Sequence, residues 1–212
     1  HITRENLGPF YSRACTDSAP VLEKHLAERS GLGWIGKNTL LMNRSAGSWF
    51  FLGELLTNLP LAQAAETPSN HCGSCTACLS ICPTQAIVAP YVLDARKCIS
   101  YLTIENRGTI PKALRSAIGN RIFGCDDCQV VCPWNRYAQI SQETDFQTRH
   151  KLDNTTLLEL FQWSESEFST KTAGSAIRRT GYEGWLRNIA VALGNAPGST
   201  TIQKSLIAKQ PD

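Results

Sequence analysis

Long apolar runs are missing from this 212-residue sequence: none approaches the ~18–20 residues that a membrane-spanning helix needs. The densest apolar patch, Trp49 to Leu52 with Leu55 and Leu56, is interrupted by Gly53 and Glu54. No secretory leader can be read, because His1-Ile2-Thr3-Arg4 opens into polar sequence rather than an apolar stretch. A marked excess of one charge is lacking too. Lys and Arg number 21 and Asp and Glu 18, a net charge of +3 that does not by itself announce nucleic-acid binding. Charged residues make up 18% and hydrophobic residues 42%, a globular balance that argues against disorder and allows one large domain or two small ones. The chain starts without Met inside ordinary sequence, and it is expected to be part of something longer.

What the sequence has in excess is cysteine. There are nine, and eight of them (Cys72, Cys75, Cys78, Cys82, Cys98, Cys125, Cys128, Cys132) fall within a 61-residue window. An odd total without a leader speaks against a disulfide framework. Cys72-x-x-Cys75-x-x-Cys78-x-x-x-Cys82-Pro83 matches the bacterial ferredoxin run, in which three close thiolates hold one iron–sulfur cubane and the fourth serves a second. Cys125-x-x-Cys128-x-x-x-Cys132-Pro133 repeats the end of that run, but Ile122 stands where a further Cys is expected. Cys98 is the free candidate to replace it, across a 26-residue excursion from Ile99 to Gly124. Crossed ligation then assigns Cys72, Cys75, Cys78 and Cys132 to one 4Fe–4S cluster and Cys82, Cys98, Cys125 and Cys128 to the other. Structural zinc also uses paired Cys, but two Cys-Pro endings and a single His in the window, His71, favour iron–sulfur. Thiolate clusters imply a reducing compartment, hence the cytoplasm. Two oxidised clusters of about −2 each would bring the net charge to about −1.

The flanks carry other signals. Thr16 to Pro20 reads as the opening of a helix, with Asp17 or Ser18 as cap, Pro20 in the first turn, and Val21, Leu22, His25, Leu26 and Arg29 at helical spacing. Gly31 would end it as a left-handed residue. Gly31 to Thr39 satisfies G-x-G-x-x-G and nearly a phosphate loop, yet both motifs need a preceding strand, and here a helix precedes. The glycines instead suit close backbone approach to a large flat ligand, with Trp34, Lys37 and Asn38 exposed beside it. Gly47 to Leu56 reads as a buried strand turning into a core segment, and Cys15 as a small core residue. Between Arg96 and Arg121, six basic residues face one acid, Glu105, which suits either a solvated face or phosphate contact. After Pro133 the sequence turns helical, with Leu157, Leu158, Leu160 and Phe161 on one face. A stripe of Tyr182, Trp185, Leu186, Ile189 and Leu193 then ends at Gly194, with Arg178, Arg179 and Arg187 on or near the polar side. Such a helix cannot bury its stripe alone and reads as the opening of a repeat array.

In this order, Thr16-Asp-Ser-Ala-Pro-Val-Leu-Glu-Lys24, Gly31-Leu-Gly-Trp-Ile-Gly-Lys37, the Cys72 to Pro83 run, Ile99-Ser-Tyr-Leu-Thr-Ile-Glu105 and Gly124-Cys-Asp-Asp-Cys-Gln-Val-Val-Cys-Pro-Trp134 resemble the epoxyqueuosine reductases. The resemblance covers almost the whole chain. It implies an α+β chain in three parts: residues 1–66 from a nitroreductase-related cobalamin domain, 67–137 a two-cluster ferredoxin-like domain, and 138–212 the start of HEAT-like repeats. Implied cofactors are cobalamin and two 4Fe–4S clusters. Implied partners are the anticodon region of a tRNA and an external electron donor, with no membrane and a monomeric state. The implied reaction reduces epoxyqueuosine at the wobble position to queuosine. Electrons pass from the clusters to the cobalt, which attacks or reduces the epoxide carbon, and the oxygen leaves as water.

Asp17 matches the family's proposed proton donor. A helix N-terminus beside it would favour the anion, and burial under a corrinoid the acid. The resemblance further implies corrinoid contacts at Asp17, Trp34, Lys37, Asn38, Leu41, Ser100 and Asp126, and tRNA contacts at Asn106, Arg107, Lys112 and Arg115. Two other classes share parts of the pattern. A corrinoid reductase of small molecules, like the reductive dehalogenases, needs no RNA-binding helices; a plain electron carrier needs only residues 72–133.

Overall fold

The computed structural model describes residues 9–62 and 69–209. The three short two-stranded sheets all lie before Asp94 and the later described elements are all helical, a mixed content as expected for an α+β chain. Contacts divide the chain into two units that interleave in sequence: His1–Leu79, Ala89–Val92 and Cys128–Gln139 form the first, and Ser80–Val88, Leu93–Asp127 and Ile140–Asp212 the second.

In the first unit, β1 (Ser12–Cys15) pairs antiparallel with β4 (Glu54–Thr57), Cys15 opposite Glu54. Between them lie α1 (Glu23–Arg29) and the strands β2 (Trp34–Ile35) and β3 (Leu41–Met42). Gly31 has φ +78 and ends α1 as expected: its N–H donates to the Glu28 carbonyl while that of Leu32 donates to Ala27, a Schellman closure. Gly33 is required for a different reason. A Cβ there would sit 1.9 Å from the Met42 carbonyl oxygen, so the β2–β3 pair closes only over glycine. Trp34, Leu41 and Met42 form the buried centre of this pair.

Three expectations fail here. The first helix does not open at Thr16–Pro20. Asp17 takes φ +50, Val21 donates to Ala19 in a turn, and α1 begins only at Glu23, with Leu22 as an N-cap that makes no side-chain bond. Gly47 to Leu56 is not a buried strand: Phe51 is 80% exposed and Leu55 52%, because β1–β4 is a two-stranded ribbon with no described layer over that face. Trp34 and Asn38 are buried rather than exposed, for reasons given below.

In the second unit, α3 (Ile99–Ile104) and α4 (Lys112–Ile118) each contact the long α8 (Gly181–Asn195), with Ile99, Leu102, Ile110 and Ile118 buried and Val191 packed against them. A second cluster joins α6 (Leu157–Gln162), α7 (Glu165–Lys171) and α8 around Leu160, Phe161, Trp163, Phe168, Trp185 and Ile189. Trp163 stacks on Trp185 at 5.6 Å. Both α6 and α7 open with capping boxes, Thr156 with Glu159 and Ser164 with Glu167. The stripe on α8 turns inward as expected, with Trp185, Ile189 and Leu193 buried and Tyr182 and Leu186 half-buried, but the helix runs through Gly194 to Asn195 and is followed by α9 (Thr200–Ala208).

Arg187 does not lie on a solvated face of α8. Its guanidinium donates to the carbonyls of Leu102, Asn106 and Gly108, at 2.9, 2.6 and 2.7 Å. Burial, and then the charge of Arg107, lowers its pKa from the usual arginine value. Beside it Asn188, almost solvent-free, donates to Thr103 and Ile122.

Candidate functional site

Four of the cysteines singled out in the sequence meet in the first unit. Cys72 and Cys75 flank a turn at Gly73 (φ +51), Cys78 lies on α2 (Ala77–Ile81), and Cys132 precedes the 3-10 turn Pro133–Tyr137. All four line a cavity of about 260 Å³ together with Gly36, Lys37, Asn38, Met42 and Trp134. Burial pushes the Cys78 thiol up, and the neighbouring Cys72, Cys132 and Cys75 add to this. Cys132 is raised for the same first reason and by Cys72 and Cys75, while the backbone N–H groups of Trp134 and Asn135 oppose the rise. The four sulfurs thus repel one another's charge, the arrangement that a shared positive metal core relieves. All are free thiols. Among the described residues no three His, Cys, Asp or Glu groups close around a point as a single ion would need. The donor set and the room between the thiols suit a cluster of several atoms.

The glycine-rich loop forms one wall. Lys37 Nζ donates to the carbonyls of Gly73 (2.6 Å) and Cys75 (2.9 Å), and Asn38 Nδ2 to that of Cys128 at 3.4 Å. Asn38 is buried because its amide is used there and its Oδ1 accepts from the Leu40 N–H. Trp34 is buried by ring contacts with His71 (4.8 Å) and Trp134 (5.1 Å). Arg44 donates to His71 Nε2 at 3.1 Å. Behind this wall, Ser48 and Asn135 exchange bonds, and Asn135 Nδ2 also donates to the Gln129 carbonyl. Sequence reading missed this Ser48–Asn135 tie, since nothing local marks partners 87 residues apart.

Cys82, Cys98 and Cys125 lie in the second unit, and Cys128 is the first residue of the segment Cys128–Gln139 of the first. Cys82 Sγ accepts from the Ala86 N–H at 3.2 Å. Burial raises the Cys125 thiol, with Asp127 and Cys98 adding and the Asp127 N–H and Arg121 opposing.

Comparison with known proteins adds the decisive observation. Residues 71–135 match the 4Fe-4S double cluster binding domain. Over 204 residues the chain is 62% identical to the epoxyqueuosine reductase of Pseudomonas aeruginosa, covering 96% of this chain and 56% of that protein.

The chain is similar to epoxyqueuosine reductases.

A crystal structure of a selenomethionine-labelled epoxyqueuosine reductase superposes with a TM-score of 0.83 at 33% identity, over 91% of this chain and 51% of that one. Another, of an epoxyqueuosine reductase with a tRNA-Tyr epoxyqueuosine-modified stem loop, gives 0.81 at 34% identity, over 88% and 49%. The reductase-like chain spans about half the length of the curated relatives it matches.

Of the positions the resemblance singled out for a corrinoid, Asp17, Trp34, Lys37, Asn38 and Leu41 lie in the first unit, and Ser100 and Asp126 in the second. Asp17 sits in the exposed turn after β1, away from the start of α1. A left-handed, non-glycine residue of this kind is uncommon, although Asp tolerates it better than most. Of the four tRNA candidates, Lys112 is exposed at the start of α4. The others are engaged within the second unit. Arg107 donates to the carbonyls of Thr180 and Arg179, Arg115 to Ile110, and Asn106 to Gly108. The basic stretch is moreover neutralised at both ends, Arg96 by Asp94 and Arg121 by Asp127. No described helix is long and apolar enough to cross a membrane.

Proposed function

We propose that this chain forms the redox core of an epoxyqueuosine reductase, reducing epoxyqueuosine at the wobble position of tRNA to queuosine. The observation that carries the reading is the single cavity lined by Cys72, Cys75, Cys78 and Cys132 and walled by Lys37 and Asn38 of the glycine-rich loop. The proposed ligand sets are those four thiols for one 4Fe–4S cluster and Cys82, Cys98, Cys125 and Cys128 for the other. Residues 1–66, 67–137 and 138–212 are the proposed cobalamin, cluster and repeat portions. Their free thiols suit the cytoplasm, and a monomer served by an external electron donor is proposed.

When bound, the clusters supply single electrons and cobalamin supplies a reduced cobalt centre. The net change is epoxide plus two electrons and two protons to alkene plus water. The chain's own residues do the rest. Asp17, held outward on its left-handed turn, offers a carboxyl proton to the departing oxygen. Asn38 and Lys37 hold the glycine-rich loop against the cluster loops, and Trp34, His71 and Trp134 pack out water behind it. Lys112 is the proposed tRNA-facing residue, and Arg107, Arg115 and Asn106, each donating to backbone carbonyls, are proposed to hold the surface around it. A relative solved with a modified tRNA stem loop supports an RNA substrate over a small molecule.

Full-length protein purified without oxygen tests this. About eight irons and eight sulfides per chain, a corrinoid absorbance, and conversion of epoxyqueuosine to queuosine in tRNA read by nucleoside mass spectrometry are expected. Bound zinc without labile sulfide, or turnover of small halides but not of tRNA, overturns it.

A further inference from the structure

We infer that Lys37 is a positioning residue for the cluster proposed at Cys72, Cys75, Cys78 and Cys132: its ammonium, clamped on the loop carrying two of those ligands, sets that cluster's reduction potential. The inference rests on the ligand set proposed above and goes beyond it. An ammonium has three donors. Two are used on the carbonyls of Gly73 and Cys75, at 2.6 and 2.9 Å, and the side chain also lines the cavity. Gly73, in the left-handed region, turns its carbonyl to the position that receives the first of these bonds.

The root of the side chain is equally fixed. The Lys37 carbonyl accepts from the Tyr91 N–H at 3.1 Å, and the next residue, Asn38, is pinned to the Cys128 carbonyl. On the other side, a Cβ at Gly36 would meet Asn38 Oδ1 and Met42 Cγ at 2.9 Å, so the turn has one packing. A long, flexible side chain thereby holds a full positive charge at one place beside the thiols. The described cavity lining contains no Asp or Glu to cancel it, and its other cation, Arg136, lies over the Tyr137 ring.

Charge then decides what the clamp does. Reduction adds one negative charge to a cluster that is already anionic, so a fixed cation beside it favours the reduced state. A loop brace alone could be made by any hydrogen-bond donor; a fixed cation adds a direct charge contribution to the potential.

The test is a potentiometric titration of the full-length protein, purified without oxygen and followed by paramagnetic resonance. The wild type should show two one-electron steps. In Lys37→Met one step should move to more negative potential, with about a tenfold lower reduced-to-oxidised ratio at fixed ambient potential, equivalent to 59 mV. The other step serves as the internal control, and Lys37→Arg, which keeps the charge, should restore the first. Unmoved steps in Lys37→Met with full iron content overturn the inference, as does an equal shift in Lys37→Arg. If Lys37→Met loses four irons, Lys37→Arg decides: an intact cluster at the wild-type potential supports the fixed charge, and loss from both variants reduces Lys37 to a brace and overturns it. A wild type with zinc and no sulfide would instead defeat the ligand set on which the inference rests.

Discussion

The Thr180 hydroxyl donates to the carbonyl of Thr103 at 2.8 Å, across 77 residues of sequence, and both residues are almost completely buried. The same carbonyl accepts from Asn188 on α8. The excursion between the two cysteine motifs is thus bound to α8 and to the residue just before it, by polar bonds out of reach of water, where each bond left unmade is costly.

Removing these donors should give graded losses. Thr180→Val leaves the Thr103 carbonyl its Asn188 partner and should cost about 1 kcal/mol. Asn188→Ala strips both Thr103 and Ile122 of a buried partner and should cost about 2–4 kcal/mol. Chemical denaturation of the full-length protein, with iron content held equal, checks the order; equal losses would mean the two bonds are not independent.

Asp17→Asn should nearly abolish turnover while leaving cluster and corrinoid content unchanged. Asn tolerates a positive φ about as well as Asp does, so the turn survives and only the carboxyl proton is lost. Single-turnover assays on modified tRNA read the effect, and near-wild-type rates would remove Asp17 from the chemistry.

The basic stretch should divide into two kinds of residue. Lys112→Ala should weaken tRNA binding and flatten the dependence of log affinity on log salt by about one unit, with melting temperature unchanged. Arg107→Ala should lower the melting temperature, because its guanidinium closes on the carbonyls of Thr180 and Arg179. A salt titration beside a thermal melt distinguishes them, and an unchanged slope in Lys112→Ala would take α4 out of the tRNA interface.

Acid should loosen the C-terminal helices through their caps. Thr156 and Ser164 hold the Glu159 and Glu167 carboxylates below the usual carboxylate range by hydrogen bonding. Groups shifted downward stabilise the fold above the ordinary value of about 4.3, and this is lost as pH falls through their folded values. Glu159→Ala with Glu167→Ala should therefore make the decline in stability below about pH 5 shallower than in the wild type. Parallel declines would show that the capping boxes carry none of the acid sensitivity.

Much of this was legible where the signal is local. Gly31 closes α1 because a left-handed residue is needed after Ser30, and the apolar stripe on α8 turns inward as its spacing requires. Four of the eight thiols marked by motif spacing, Cys72, Cys75, Cys78 and Cys132, line one cavity. Distant partners were illegible. Trp34 and Asn38 look like exposed loop residues until Trp134 and the Cys128 carbonyl, 90 residues beyond Asn38, are brought beside them. Arg107 and Arg187 look like a solvated face for the same reason, since their acceptors are backbone carbonyls that carry no sequence signature. Asp17 misled differently. Capping residues and Pro20 imitate a helix start, but a positive φ at Asp17 belongs to a turn, and the helix begins after it.

The first unit takes its segments from separated parts of the chain, and Cys132 belongs to the last of them. On the ribosome, Cys72, Cys75 and Cys78 are made first, and most of the second unit's cysteine-bearing sequence must follow before Cys128–Gln139 emerges. Until then, of the four thiols that line the cavity, Cys132 is missing. On the proposed ligand set, chain order would decide when a cluster can be seated: delivery would have to wait for the returning segment that carries Cys132.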